Sequence, residues 1–426
     1  MTGHIGVEPA RGPIEASVRP PGSKSQTIRA LVTSTLARGR SRLSGALDSE
    51  DTRFASSTLE RLGGAISVDD DVWIIEGTAG RLDAPEDVLD VGASGLTART
   101  VIALGALVEG RITVVGRDRL PERPMGGLVK ALNDLGVEAT SEGGHLPVTV
   151  TGIGRLPGGE VMVDSSQTSQ FASALLLAAP LAVAPLRVEP TRLGGSRRYL
   201  DLTLATMRAF GADPTPDGAG YRVDPSGYGA VDMAIEPDAS AAVYPMAAAA
   251  VTAGSVTIEG LGSTSLQADM QIAHVLESMG CIVTQTGTAT TVEGGLGPLR
   301  PIDVDLSGSP DGALVIAVTC LFAEGTSRLR GLGSLRFKES DRLAATAREL
   351  GRLGAGARVE GDDLVIEPAP LRAARVDSHG DHRIAMSFAI AGLRIPGIEI
   401  GDPGVVAKTW PGYWEMLAGM AASDLT

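Results

Sequence analysis

One pattern recurs six times along this chain, and it limits what the chain can fold into. An Ala-rich apolar helix runs through a small-residue turn into a short alternating strand. It appears as "ALVTSTLARGRSRLSG", "VIALGALVEGRITVVG", "ALLLAAPLAVAPLRVEP", "PMAAAAVTAGSVTIEG", "VIAVTCLFAEGTSRLRG" and "AMSFAIAGLRIPGIEIG". The turn residues Gly39, Gly110, Pro185, Gly254, Gly325 and Gly397 are spaced by 71, 75, 69, 71 and 72 residues. A second, more charged helix follows in each unit. In five units it ends at a glycine (Gly63, Gly136, Gly211, Gly280 and Gly354) ahead of alternating β residues. That is the expected chemistry where a helix C′ position hands over to a strand. The sixth unit closes on "YWEMLAG", read as a last helix. A solenoid repeat is about 20–50 residues long. These longer units each hold several strands and two helices, the apolar one buried and the charged one nearer solvent. The pattern predicts an α/β protein of two three-unit domains, divided near "SGYGAVDMAIEPD" (226–238).

Charge then narrows the function. The chain carries 37 Lys and Arg against 51 Asp and Glu, a net charge of −14. This excludes a general binder of nucleic acid or anionic membrane, so any anion site must be a local cluster of cations. The start "MTGHIGVEPARG" has no apolar signal-peptide core, and the Ala-rich runs fall short of the ~18 residues needed to span a bilayer. Cys281 and Cys320 sit in apolar runs and read as reduced thiols of a cytoplasmic protein. No HExxH or CxxC is present, and His379 with His382 is a histidine pair without a third placed ligand, so no metal is expected.

Superposing the units puts the unusual residues at two places. One precedes the apolar helix: "GSKSQTIR", "GASGLTAR", "DSSQTSQF", "EPDASAAVY", "SPDGALV" and "SHGDHRIAM". The other follows the short strand: "DSEDTR", "RDRLPERP", "LGGSRRYLD", "SLQAD", "LRFKESDR" and "VAKTWPGY". The stretch "PGSKSQTIR" is not a P-loop, because Ser23 separates Gly22 from Lys24. A helix start flanked by Lys24, Ser25 and Arg29 still suits an anion. Asp311 reads equally well as an ordinary helix cap. Glu339 lies beside Lys338 and near Arg342, cations that favour its charged form.

Taken in order, "PGSKSQTIR", "RLPERP", "DSSQTSQF", "RFKESDR", "DHRIAM" and "AKTWP" resemble the 5-enolpyruvylshikimate-3-phosphate synthase family of enolpyruvyl transferases over essentially the whole chain. The resemblance implies two similar domains, each of three βαβαββ units, with the substrates in the interdomain cleft. It places the domains at 21–234 and at 1–20 with 235–426, because the family's N-terminal strand crosses over. It implies transfer of the enolpyruvyl group of phosphoenolpyruvate to the 5-hydroxyl of shikimate 3-phosphate, without cofactor or metal. A cytoplasmic monomer is expected, with these two small molecules as its partners and neither nucleic acid nor membrane.

By the same resemblance, Asp311, Glu339 and Lys24 carry the catalysis. Lys24, Ser25, Arg29, Thr168, Ser169, Gln170, Ser196, Tyr199, Asp311, Ser334 and Lys338 bind shikimate 3-phosphate. Lys24, Gly95, Arg123, Gln170, Arg342, His382, Arg383 and Lys408 bind phosphoenolpyruvate. The chain departs from the family pattern at Ile28, Ala93, Leu96, Thr168 and Ser334, which bears on the fit around Gly95 and on the acceptor. Two other readings compete: the sister transferase acting on UDP-N-acetylglucosamine, and a non-catalytic anion-binding protein of the same fold. The sister enzyme carries a cysteine in the loop that is "RDRLPERP" here, and this loop has none.

Overall fold

The computed structural model describes residues 3–422 apart from 194, 196 and 296. In chain order its helices are α1 (Lys24–Leu36), α2 (Glu50–Arg61), α3 (Gly95–Leu104), α4 (Gly126–Asp134), α5 (Gln170–Ala178), α6 (Arg197–Ala209), α7 (Ala239–Thr252), α8 (Gln271–Ser278), α9 (Ala313–Thr319), α10 (Arg342–Arg352), α11 (His382–Gly392) and α12 (Tyr413–Ala422). With the strands between them, the described residues form five βαβαββ units followed by a shortened βαβα unit. The odd-numbered helices are the Ala-rich ones. Every residue of α3, α9 and α11 is buried, and so is every residue of α7 except Ser240. The even-numbered helices bury one face only, as their mixed polarity dictates. After α2, α4, α6, α8 and α10 the five glycines singled out above adopt φ between 81° and 109°, the left-handed region where a Cβ is costly.

Each complete unit feeds a four-stranded sheet of one pattern, a parallel pair extended by two antiparallel neighbours. In the second unit Leu89–Asp90 runs parallel to Glu109–Val115, which pairs antiparallel with His145–Ile153, and Glu138–Glu142 forms the far edge. Two units exchange their first strands. Glu15–Val18, which opens the first unit, pairs with Ser255–Glu259 of the fourth; Asp232–Ala234, which opens the fourth, pairs with Arg40–Ser44 of the first. The sixth unit has α12 in place of a terminal hairpin. There the N-terminal strand His4–Gly6 takes the antiparallel place beside Glu399–Gly401.

The chain accordingly divides into two compact units. One runs from Gly22 to Ile235; the other joins the segment up to Pro21 with the chain from Glu236 onward. Each has its own apolar core, built round α1, α3 and α5 in the first and round α7, α9 and α11 in the second. The helix starts that carry the unusual residues thus stand on buried, rigid supports, which is the arrangement a precise site requires.

Candidate active site

In the Gly22–Ile235 unit the site residues sit at the starts of α1, α3 and α5. Ser23 caps α1, its Oγ accepting from Gln26 N at 3.4 Å. Lys24 Nζ lies 3.0 Å from Asp51 Oδ2, joining the starts of α1 and α2. Arg29, one turn on, is 1% exposed. It donates to Thr203 Oγ1 at 2.8 Å, to the Ser25 carbonyl at 2.9 Å and to the Tyr199 carbonyl at 3.2 Å. Thr203 in turn donates to Ser173 Oγ at 3.0 Å, so α1, α5 and α6 meet at this guanidinium. These three partners are neutral, and among the described residues no carboxylate pairs with Arg29. Burial pushes its pKa down to about 10. A buried cation left without a counter-ion is expensive, and an anion supplied from outside would relieve it.

A second cationic pair stands over Gly95, the first residue of α3. A Cβ there would lie 2.7 Å from Arg99 Nη1 and 2.9 Å from both Nη atoms of Arg123. Arg99 also donates to the Gly95 carbonyl at 3.2 Å, to Gln170 Oε1 at 2.7 Å and to the Pro124 carbonyl at 2.9 Å. It thereby sets the starts of α3 and α5 side by side. Ser169 occupies the cap position of α5, and Thr168 Oγ1 accepts from Gln170 N at 3.2 Å. Tyr199 is half-buried. Ser196 lies outside the described residues.

In the unit containing Glu236 onward, the remaining residues other than Ser334 form one dense ionic cluster. Arg342, 1% exposed, is its hub. Nε and Nη2 grip Asp381 at 2.7 and 3.0 Å, Nη1 meets Asp311 Oδ1 at 2.9 Å, and Nη2 meets Glu339 Oε2 at 2.9 Å. A planar guanidinium can serve three carboxylates in this way, where an ammonium could not. Asp311 also receives Arg383 Nη2 at 3.1 Å and Lys338 Nζ at 3.4 Å. Lys408 Nζ stands 3.8 Å from Glu339 Oε1. Asp381 caps α11 through Arg383 N at 3.0 Å, and Ser340 donates to it at 3.0 Å. His382 is buried at the first turn of α11, its Nδ1 3.7 Å from Asp381 Oδ1. Ser334 is half-buried in the turn Gly333–Phe337 and joins the cluster through no hydrogen bond or ion pair among the described residues.

Electrostatics distinguish these groups. Burial by itself would raise the Asp311 carboxyl, but Arg383, Lys338 and Arg342 outweigh it and hold the group well below the ordinary carboxylate range, with Glu339 opposing them. Burial likewise works against the charge on Arg342, yet Asp381, Glu339 and Asp311 raise its pKa above the usual arginine value. The capping role open to Asp311 is not the one it plays. Gly312 holds the cap position of α9, and both Asp311 oxygens face cations instead. His379 Nε2 lies 2.8 Å from Glu349 Oε1, an acid of α10.

Four residues of these loops were given no role from the sequence: Asp51, Arg99, Asp269 and Asp381. All lie inside the loops that the repeat brings into register, in "DSEDTR", "GASGLTAR", "SLQAD" and "SHGDHRIAM". Register was therefore a sufficient signal for their location, though not for their partners. Two of the departures prove to be packing residues, since Ile28 and Leu96 belong to the core of their unit.

Comparison with known proteins agrees along the whole length. Residues 9–417 match the family described as EPSP synthase (3-phosphoshikimate 1-carboxyvinyltransferase). A 3-phosphoshikimate 1-carboxyvinyltransferase from Rhizobium leguminosarum bv. trifolii (strain WSM2304) is 38% identical over 432 residues, covering 99% of this chain and 98% of that protein. One from Methanoculleus marisnigri (strain ATCC 35101 / DSM 1498 / JR1) is 40% identical over 413 residues, covering 96% and 97%. The structure of EPSP synthase from Acinetobacter baumannii is similar with a TM-score of 0.81 at 26% identity, over 98% of each chain. Sequence and fold agree, and the chain belongs to the EPSP synthase (3-phosphoshikimate 1-carboxyvinyltransferase) family.

Proposed function

We propose that this protein transfers the enolpyruvyl group of phosphoenolpyruvate to the 5-hydroxyl of shikimate 3-phosphate and releases phosphate. The observation that carries the reading is the sharing of one buried guanidinium, Arg342, by two carboxylates, Asp311 and Glu339. The reaction adds a hydroxyl to C2 of phosphoenolpyruvate while C3 gains a proton, and then expels phosphate as C3 gives that proton back. It needs a proton acceptor and a proton donor set apart by a fixed distance, among cations that hold two phosphates and two carboxylates.

In this reading Asp311 takes the proton of the 5-hydroxyl and Glu339 serves C3. A carboxylate gripped by three cations is a weak base. An incoming phosphate and carboxylate compete for those same cations and add negative charge, both of which raise its affinity for a proton. Substrate binding would thus activate the base. Arg342, Arg383, Lys408, Arg123 and Lys24 hold phosphoenolpyruvate, with Gly95, Gln170 and His382 beside it. Arg29 supplies the counter-charge for shikimate 3-phosphate, together with Lys24, Ser25, Thr168, Ser169, Gln170, Ser196, Tyr199, Ser334 and Lys338. The proposal includes a cytoplasmic monomer, a setting that suits the buried free thiols Cys281 and Cys320.

Phosphate release from phosphoenolpyruvate and shikimate 3-phosphate, measured against shikimate and UDP-N-acetylglucosamine as acceptors, tests the assignment. Turnover with either alternative at a rate equal to that with shikimate 3-phosphate would overturn it. Gly95→Ala supplies a finer test. The added methyl meets the flexible ends of Arg99 and Arg123 rather than backbone, so the fold should hold while the guanidinia move. We expect KM for phosphoenolpyruvate to rise on the order of tenfold, ~1.4 kcal/mol, with little change in melting temperature.

A further inference from the structure

We propose that Asp269 is a positioning residue that holds Arg383 and Asp311 in one geometry. The inference rests on the transferase reading above. Asp269 lies in the turn Ala268–Met270 just before α8 and is 2% exposed. It belongs to the "SLQAD" loop, which the repeat brings into register with the loops of Arg123 and Glu339 but to which no role has been given so far.

Its two oxygens face two different supports. Oδ2 accepts from the Ser240 hydroxyl at the start of α7, and Oδ1 accepts from the Ser309 hydroxyl just ahead of α9. Both supports lead to the reacting groups. The carbonyl of Ser240 accepts from Arg383 Nη1 at 3.2 Å, while Nη2 of the same guanidinium meets Asp311 Oδ2 at 3.1 Å. Asp311 is two residues along the chain from Ser309, and between them and α9 a Cβ on Gly312 would lie 3.4 Å from Asp269 Oδ1. The contacts close into a ring: Asp269, Ser240, Arg383, Asp311, Ser309 and back to Asp269.

A carboxylate is suited to this task because it accepts at both oxygens, and a buried hydroxyl with a fixed acceptor cannot swing. An amide offers one acceptor and one NH2, so in Asp269→Asn one serine must turn from donor to acceptor, and one arm of the ring is released. Charge acts in the same sense. Burial and the nearby Asp311 raise the Asp269 carboxyl, while Arg383 and the two hydroxyls oppose them. Arg383 thus sits among several acids, Asp311, Asp269 and Asp238, with Tyr244 beside them, and Asp269→Asn takes away one of the charges that balance the pull of Asp311.

The test compares Asp269→Asn, Ser240→Ala and Ser240→Thr with the parent enzyme, reading kcat, KM for phosphoenolpyruvate, the dissociation constant of shikimate 3-phosphate alone, and the melting curve. We expect kcat/KM for phosphoenolpyruvate to fall at least about tenfold in Asp269→Asn, with shikimate 3-phosphate binding within about threefold of the parent. Ser240→Ala should show part of that loss, Ser240→Thr should recover it, and Ser240→Ala added to Asp269→Asn should cost little more. An Asp269→Asn enzyme with parental kcat/KM overturns the inference, as does a Ser240→Ala loss that threonine does not restore. Should Asp269→Asn fail to fold, the Ser240 pair still decides the question. A parent inactive on both substrates would instead refute the transferase reading.

Discussion

Asp311→Asn is expected to lower kcat by roughly 10²–10⁴-fold, the usual contribution of a positioned acid or base, while the chain still folds. The substitution keeps the size of the side chain and one acceptor for Arg342, Arg383 or Lys338, and removes the ability to take a proton. It also removes one negative charge from among these cations. Phosphoenolpyruvate should therefore bind as well as before, or more tightly. A fall in kcat with undiminished affinity is a signature that loss of a simple ion pair would not produce. Glu339→Gln should behave alike, since its carboxylate shares Arg342 and stands near Lys408. Turnover at the parent rate in either variant would remove that residue from the chemistry. The parent should also show an acid-side effect. The folded-state pKa of Asp311 lies below its unfolded value of roughly 3.9, so the pairing stabilises the fold fully above that pH. That stability should drain away as pH falls further, and the acid limb of the melting-temperature profile should be shallower in Asp311→Asn.

Arg342→Met should have the largest effect on stability. The guanidinium is the shared partner of Asp381, Asp311 and Glu339, and Asp381 is itself fully buried. Taking it away leaves a buried carboxylate facing only Ser340 and the backbone N–H of Arg383 among its bonded partners. Breaking a buried pair from one side costs about 3–5 kcal/mol, which for a unit of this size lowers the melting temperature by roughly 6–20 °C. Arg342→Lys keeps the charge but has no planar fork, so it should recover only a fraction of the loss. Adding Asp381→Asn to Arg342→Met should restore part of the stability, because no charge is then stranded, without restoring turnover. Calorimetric melting of the four proteins with phosphate-release rates on each provides the check. A melting temperature for Arg342→Met within 2 °C of the parent, as a threshold of about 1 kcal/mol, would show that the cluster relaxes with water instead of depending on this residue.

Much of this architecture was legible in the chain itself, for a local reason. Helix periodicity, the five C′ glycines and the turn residues spaced at 69–75 are short-range signals; the structure places the five glycines at helix ends and five of the six turn residues between helix and strand, while Gly110 falls inside the strand Glu109–Val115. Repetition then added what a single unit could not, since it aligned the loops and showed where glycines, hydroxyls and charges collect. The pairings were not legible in the residues themselves, because their partners are distant in sequence; the crossing of the N-terminal strand was expected from the family resemblance alone. Glu15–Val18 lies beside Ser255–Glu259, and Asp232–Ala234 beside Arg40–Ser44, although nothing in either short strand records its neighbour. A strand this short carries a two-residue alternation and little else, so the sheet that accepts it is settled by the rest of the fold.

The same division runs through the site. The positions of Asp311, Glu339, Arg342 and Lys408 followed from loops in register, and so did the expectation that an anion binds among them. Whether Asp311 caps a helix or faces three cations depended on where α10 and α11 come to rest, which is a question of packing. The identity of Leu96 likewise says that it is apolar. Only the packed core shows that it is turned into the body of its unit, so that this departure from the family pattern is a change of packing. Residue types and their spacing are properties of the chain and were determined by the sequence alone. The pairing of Arg342 with Asp381 and Asp311, its burial and the electrostatic consequences of both belong to groups brought together from more than thirty residues apart, and only the tertiary structure decides them.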